Sequence, residues 1–173
     1  MDILLTHGYF LYEDPKELQI MKPYPPLGIL YICSHLRKKG VNAEVFDSTF
    51  SPRQDLWDLL EKGPPSVLGV YANLMTRPNV VEILRVAKQH GWQTLVGGPE
   101  PGAYVQEYLA AGADVVVIGE GEITLEELVP ALQSRAVDQL DKIDGIAFQG
   151  PDGSVIRTKP SRAGSCRARW DQV

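Results

Sequence analysis

The stretch TLVGGPEPGAYVQEYLAAGADVVVI, residues 94–118, contains a strand, a glycine-containing loop, a helix and a second strand. Thr94–Val96 is a short apolar run, and the apolar residues of Val105–Leu109 have the spacing of a helix face. Asp114–Ile118 is rich in valine and apolar on both faces, as expected of a central parallel strand. This succession predicts one strand–helix–strand unit of a parallel sheet.

The same alternation extends toward the N-terminus. Short apolar runs at Ile3–Thr6, Ala43–Phe46 and Val67–Ala72 are each followed by a segment with helical periodicity. The first of these segments, Leu27–Lys39, ends in basic residues before a glycine, as helix C-termini commonly do. About five strand–helix units therefore predict an α/β fold, a doubly wound, five-stranded parallel sheet with helices on both faces, of the flavodoxin-like (Rossmann-like) type.

The pattern changes near the C-terminus. Gly145–Phe148 and Val155–Arg157 flank a Pro-Asp-Gly turn, which predicts a C-terminal β-hairpin over about residues 143–158. Periodicity ends after Pro160. We expect one domain over residues 1–160, and a linker or a truncated, disordered tail over 161–173.

Composition excludes several classes of protein. The chain has 173 residues and a formal net charge of −5, which argues against a nucleic-acid partner, since phosphate binding needs a basic surface. No apolar run approaches the roughly 18 residues of a membrane span. The two cysteines, Cys33 and Cys166, cannot supply a four-thiolate zinc site or a radical-type iron–sulfur cluster. No disulfide framework is implied, so we expect a cytoplasmic protein.

Ligands of doubly wound sheets bind beyond the carboxyl ends of the strands, where the strand order reverses. The loops that follow Thr6, Ala72, Val96 and Ile118 are therefore the candidates. The first, residues 7–26, is twenty residues long, whereas such loops usually have about 2–6. It carries several aromatic residues. They could cover a large flat cofactor, or the loop could fold over its own core.

The other loops carry glycines, carboxylates and exposed apolar residues. The run 97–100 (Gly-Gly-Pro-Glu) leaves backbone N–H groups open to a ligand. The carboxylates of 119–122 (Gly-Glu-Gly-Glu) could accept hydrogen bonds from a ligand or act as charges at a helix N-terminus. Leu74 and Met75 need an apolar cover unless they pack between helix and sheet. No phosphate-binding loop and no dinucleotide fingerprint follows the first strand.

Three motifs in this order resemble a known module. Tyr-Pro-Pro-Leu-Gly-Ile-Leu-Tyr at 24–31, Val-Gly-Gly-Pro-Glu at 96–100 and Val-Ile-Gly-Glu-Gly-Glu at 117–122 resemble the N-terminal cobalamin-binding domain of B12-dependent radical S-adenosylmethionine (SAM) enzymes. The resemblance covers about residues 1–160. It implies that cobalamin lies against the carboxyl edge of the sheet, base-off, with its dimethylbenzimidazole tail inserted into the domain.

Carried over to this sequence, the resemblance implies a set of cofactor-binding residues on successive loops. They are His7, Gly8, Tyr9, Pro25, Pro26, Ala72, Asn73, Leu74, Met75, Thr76, Gly97, Gly98, Pro99, Glu100, Gly119, Glu120, Gly121 and Glu122.

Two departures limit what the resemblance implies. The Asp-x-His-x-x-Gly motif by which other B12 domains ligate cobalt is missing around His7, so ligation of cobalt by this histidine is not expected and no metal-ligating residue is assigned. The Cys-x-x-x-Cys-x-x-Cys motif of the radical domain is also missing. We therefore expect a fragment of a longer protein that binds cobalamin but does not catalyse alone. The iron–sulfur cluster and SAM would belong to a missing C-terminal radical SAM domain, which we expect to act as a methyltransferase. A flavodoxin-like flavin- or nucleotide-binding protein and a non-catalytic interaction domain remain alternatives.

Overall fold

The fold is taken from a computed structural model, which describes residues 1–135 and 137–161. The expectation of a linker or disordered tail at 161–173 falls, apart from Ser161, outside the described residues. Cys166 lies outside them as well.

One mixed sheet forms the centre of the described chain. Its order is β2-β1-β3-β4-β5-β6-β7; the first five of these strands are parallel, and the last two are antiparallel to their neighbours. The expected five-stranded parallel sheet and hairpin are thus confirmed, and the hairpin extends the sheet beyond β5. The strands are β1 (Ile3–His7), β2 (Ala43–Val45), β3 (Val67–Tyr71), β4 (Gln93–Gly97), β5 (Val115–Val117), β6 (Ile146–Gln149) and β7 (Val155–Arg157).

Helices cover both faces of this sheet. The helices are α1 (Pro15–Ile20), α2 (Leu27–Lys38), α3 (Arg53–Lys62), α4 (Arg77–Gln89), α5 (Val105–Ala110) and α6 (Gly121–Gln133). Helices α2 and α6 pack on one face, whereas α3, α4 and α5 pack on the other. Within the described residues, no helix has the length and apolar character required to span a membrane.

The alternation of side chains along the strands produces two cores. Leu5, Leu95 and Val117 point toward α2 and α6, while Leu4 and Val96 join the core beneath α3, α4 and α5. Full burial of an aliphatic side chain of this size contributes about 1.5–3 kcal/mol, so both faces stabilise the sheet. The carboxyl ends of β1, β3, β4 and β5 consequently meet at one edge, which carries the loops singled out above.

Candidate functional site

A cavity of about 460 Å³ opens at the carboxyl edge of the sheet, between α2 and α6. It is lined mainly by glycines and aliphatic side chains. The lining residues are Leu5, Leu27, Gly28, Ile29, Tyr31, Ile32, Gly69, Val70, Tyr71, Leu95, Gly97, Gly98, Val117, Gly119, Glu120, Gly121, Glu122 and Leu125.

Two glycines of the sheet create the floor of this cavity. A Cβ atom on Gly69, in the middle of β3, would lie 2.7 Å from Cδ2 of Leu5. A Cβ atom on Gly97, at the end of β4, would meet only Val117, at an ordinary contact distance of 3.6 Å, and would otherwise enter the cavity. The missing side chain of Gly97 therefore leaves room above the end of β4, whereas the space beside Gly69 is filled by Leu5 and its neighbours.

The entrance is more polar than the floor. Glu120 is exposed and Glu122 half-buried, at the start of α6. On the opposite side, Leu27 begins α2 and is 69% exposed. Carboxylates and an exposed apolar side chain thus surround an opening that leads to an apolar interior.

The loop after β3 presents two apolar side chains outward. Asn73 and Thr76 lock the loop, because the Thr76 N–H donates to Oδ1 of Asn73 at 3.0 Å and the Asn73 N–H donates to Oγ1 of Thr76 at 3.2 Å. Leu74 and Met75, between them, are 69% and 86% exposed. This rigid loop therefore presents a fixed apolar surface beside the cavity.

His7, at the end of β1, is buried and fully engaged. Its Nδ1 accepts the Tyr9 N–H at 3.2 Å, so Nε2 carries the proton and donates to Oδ1 of Asp47 at 3.0 Å. The Ser48 hydroxyl lies 3.0 Å from the same Nδ1. Burial lowers the pKa of His7, although Asp47 favours the charged form. The imidazole is therefore neutral and fixes the loops after β1 and β2, with neither nitrogen directed at a ligand.

Glu100 is also engaged within the protein. Its carboxylate is buried and accepts hydrogen bonds from the Arg77 guanidinium and the Tyr108 hydroxyl. The Arg77 guanidinium stacks 3.8 Å from the centre of the Tyr104 ring. These contacts connect the loop after β4 to the start of α4. Glu100 therefore stabilises the carboxyl edge of the sheet by holding the loops after β3 and β4 together.

The structure brings only part of the expected set together. Gly97, Gly98 and residues 119–122 line one cavity. His7 ends β1 and Gly8 and Tyr9 follow it, Ala72 and Asn73–Thr76 follow β3, and Pro25 and Pro26 lead into α2. The remaining two, Pro99 and Glu100, lead toward α5.

Sequence reasoning missed the walls of the cavity. The missed lining residues include Gly69 at the floor, in β3, and Ile32 on α2 and Leu125 on α6 in the walls. An isolated glycine inside an apolar strand often marks a close approach of a ligand or another backbone. The position of Gly69 at a closely packed site could therefore have been predicted from the sequence. The positions of Ile32 and Leu125 could not, because buried aliphatic residues of a core helix and of a cavity wall look alike in sequence. In the part of the chain that the structure describes, no group of His, Cys, Asp and Glu could hold a metal ion.

Three relatives have similar sequences. An uncharacterized methyltransferase of Synechocystis sp. is 32% identical over 131 residues, covering 75% of this chain and 24% of that protein. An uncharacterized methyltransferase of Pyrococcus horikoshii is 30% identical over 148 residues, covering 80% and 30%. The anaerobic magnesium-protoporphyrin IX monomethyl ester cyclase of Synechocystis sp. is 30% identical over 146 residues, covering 79% and 28%. The chain thus spans 24–30% of the length of these relatives.

The fold matches a solved structure and a known family. The cobalamin-dependent SAM radical enzyme OxsB with aqua-cobalamin bound superposes with a TM-score of 0.76 at 20% identity, covering 94% of this chain and 23% of that one. Residues 19–129 match the family of the B12 binding domain. The matched residues include β2, β3, β4 and β5, all of α2 and the first part of α6. The chain therefore belongs to the B12-binding domain family, and its cofactor is cobalamin.

Proposed function

We propose that this chain holds cobalamin in the base-off form and presents the upper face of the corrin to a radical SAM domain that transfers methyl groups. The nucleotide tail of the cofactor occupies the cavity between α2 and α6, and the corrin lies over the loops after β1 and β3. The observation that carries this proposal is the apolar, glycine-floored cavity at the carboxyl edge of the sheet.

The residues of the cavity fit the tail in size and chemistry. A volume of about 460 Å³ lies within the roughly 300–1,000 Å³ range of pockets that enclose small molecules. The aliphatic floor suits the fused rings of dimethylbenzimidazole, and Gly97 leaves space that the rings need. Glu120 and Glu122, at the entrance, suit the ribose hydroxyl and the side-chain amides of the corrin.

The loops beside the cavity fit the flat corrin. Leu74 and Met75 offer exposed apolar contacts on a loop that internal hydrogen bonds fix in place. Tyr24, 92% exposed before the start of α2, adds an aromatic side chain. Because both nitrogens of His7 are occupied inside the protein, the base-off form proposed here lacks a histidine ligand from this loop.

We assign the other expected positions supporting roles in the same site. Pro25 and Pro26 fix the entry of α2, and Gly8 and Tyr9 continue the loop that His7 anchors. Glu100, which follows Pro99, holds the loop after β4 against the start of α4. Bound cobalamin supplies a cobalt centre that can carry a methyl group, while the residues of this chain bind and orient the corrin.

The catalytic partner is proposed from the relatives. They are more than three times as long as the matched region, and two of them are named methyltransferases. We propose that a radical SAM domain, with the iron–sulfur cluster and SAM, faces the exposed loops in a longer protein. A cytoplasmic location agrees with the few cysteines of the sequence.

An absorbance titration with hydroxocobalamin, followed by desalting, tests the proposal. The chain should retain about one equivalent of cobalamin with a base-off spectrum. Gly97→Leu should weaken binding at least tenfold, because the new side chain enters the cavity without a backbone clash. Ser34→Leu, on the exposed face of α2, is the matched control and should bind like the unaltered chain.

Three outcomes would contradict the proposal. The first is a folded chain that elutes colourless after titration at high micromolar cobalamin. The second is retained cobalamin with its base still on cobalt. The third is equal binding by the Gly97→Leu and Ser34→Leu variants, since the tail would then lie elsewhere.

A further inference from the structure

We infer that the cavity discriminates among cobamides by the lower base, accepting benzimidazole and phenol-type bases and disfavouring purines. This inference rests on the proposed insertion of the tail into the cavity. It concerns the deep end of the cavity, where the base would lie, and it follows from the polarity of that end.

The deep end has an aliphatic lining. Leu5, Leu95 and Val117 on the strands are at most 4% exposed, and so is Leu125 on α6. All the polar side chains of the described lining are half-buried or exposed, which places them toward the entrance. They are Tyr31, Tyr71, Glu120 and Glu122.

The backbone at the floor is also committed. Gly69 pairs with Leu5 and Leu95 across the parallel ladders, so its polar groups are used within the sheet. The carbonyl of Gly97 accepts the Ala72 N–H at 2.8 Å. At the floor, a buried base would therefore meet aliphatic side chains, and the described residues there provide no side-chain donor or acceptor.

The candidate bases differ in how many polar groups they would bury. Base-off dimethylbenzimidazole has a single free ring nitrogen and two methyl groups, and a cresol base has an apolar ring. Adenine has an exocyclic amine and several ring nitrogens. Each polar group buried without a partner is costly, and an apolar pocket rejects an analogue with one extra polar group by only about tenfold to hundredfold. We therefore expect adeninylcobamide to bind at least tenfold more weakly than cobalamin.

The experiment compares the affinities of the full chain for four corrinoids: cobalamin, cresolylcobamide, adeninylcobamide, and cobinamide, which lacks the nucleotide and base. Cobalamin and cresolylcobamide should bind at least tenfold more tightly than adeninylcobamide. In the comparison of cobalamin with adeninylcobamide, the cost of detaching the base opposes this preference and cannot produce it, because adenine is the weaker cobalt ligand. Cresolylcobamide has no base that ligates cobalt, so its affinity includes no such cost. Cobinamide should bind more weakly than cobalamin because it leaves the cavity empty.

A pair of variants on one strand locates the discrimination. Val117→Thr puts a hydroxyl in the cavity with almost no change of side-chain shape. It should lower the ratio of the Kd for adeninylcobamide to the Kd for cobalamin at least threefold. Val116→Thr places the same hydroxyl on the opposite face of β5 and should leave the preference unchanged. The free-energy cost of detaching a base from cobalt depends only on the corrinoid and is the same for every variant. It therefore cancels when the Kd ratios of two variants are compared.

The possible results distinguish a failure of this inference from a failure of the proposed insertion of the tail into the cavity. Equal affinity for cobalamin and adeninylcobamide, with weak binding of cobinamide, would overturn the discrimination and leave tail insertion intact. An equal change of preference in both valine variants would also overturn it. Cobinamide binding as tightly as cobalamin would overturn tail insertion itself.

Discussion

Adjacent glycines at the end of β4 serve different purposes. Gly98 has a φ of +120°, and a Cβ atom there would lie 2.3 Å from the carbonyl oxygen of Ala72. Gly97 has an ordinary backbone conformation for any residue, and its missing side chain leaves the cavity open. Gly98 therefore lets two loops approach, whereas Gly97 leaves space for a ligand.

Alanine substitutions should separate these roles. We expect Gly98→Ala to lower the free energy of unfolding by at least about 2 kcal/mol, since a strained φ and a backbone clash combine. Gly97→Ala should change it by less than about 1 kcal/mol, because the added methyl group makes an ordinary contact. Urea unfolding of both variants measures the difference. Equal losses of stability in the two variants would contradict this assignment.

At the residue scale, the sequence predicts where a site lies better than what each side chain does. Glu100 lies in a loop at the predicted edge, but its carboxylate is held by Arg77 and Tyr108. His7 ends the predicted first strand, but Asp47 and the Tyr9 N–H occupy its ring. These partners are far away in sequence or depend on a side-chain rotamer, so no local pattern indicates them.

At the scale of elements, Arg53 of α3 braces the loop after β1. Its guanidinium lies 4.9 Å from the ring centre of Phe10, and its Nε donates to Oε1 of Glu13 at 2.8 Å. It also donates to Oδ1 of Asn79 at 2.8 Å. Asn79 in turn donates to the carbonyl of Gly8 at 2.8 Å. Helices α3 and α4 thereby hold the loop proposed to lie under the corrin.

Removing this brace should loosen the loop more than it unfolds the domain. Arg53→Ala should speed amide hydrogen exchange over residues 8–20 at least tenfold and lower the free energy of unfolding by about 1–2 kcal/mol. Lys62→Ala is the control, because Lys62 forms only an exposed ion pair with Asp58 on the same helix. Two results would contradict this role of Arg53. The exchange rate of the loop could be unchanged in Arg53→Ala, or it could rise equally in Arg53→Ala and Lys62→Ala.

The length of that loop was predictable from the sequence, whereas its helix was not. Helix α1 has no buried residue, so it lacks the periodic apolar face by which helices are recognised. Its start has a local signal: the Asp14 side chain accepts the N–H groups of Lys16 and Glu17, and Pro15 follows directly. In a helix of only six residues, this capping pattern is a weak indication of a helix. The aromatic residues around it indicate an apolar loop more strongly.

At the scale of the whole molecule, the alternation of strands and helices predicted a doubly wound parallel sheet, and right-handed crossovers then place helices on both of its faces. The hairpin was predictable from its turn, but its attachment to the edge of β5 was not, since turn residues specify pairing within a hairpin and not with a third strand. The cavity is assembled from four strands and two helices. It depends on how α2 and α6 pack on the sheet, which no single segment encodes.

The cavity makes the stability of the whole domain depend on its cofactor. A ligand that binds only the folded chain stabilises it by about 2.7 kcal/mol at a free concentration of 100 times its Kd. For a domain of this size that corresponds to a rise in Tm of roughly 5–10 °C. Cobalamin should produce this rise in a thermal melt. Cobinamide at the same concentration should produce a smaller rise in Tm, because α2 and α6 would still enclose an empty apolar space.

A pair of variants tests whether the cavity causes this difference. Gly97→Leu should lose most of the difference in Tm between the two corrinoids, while Ser34→Leu should keep it. An equal rise with both corrinoids in the unaltered chain would mean that the corrin contacts alone stabilise the domain, and that the cavity contributes nothing to holding the cofactor.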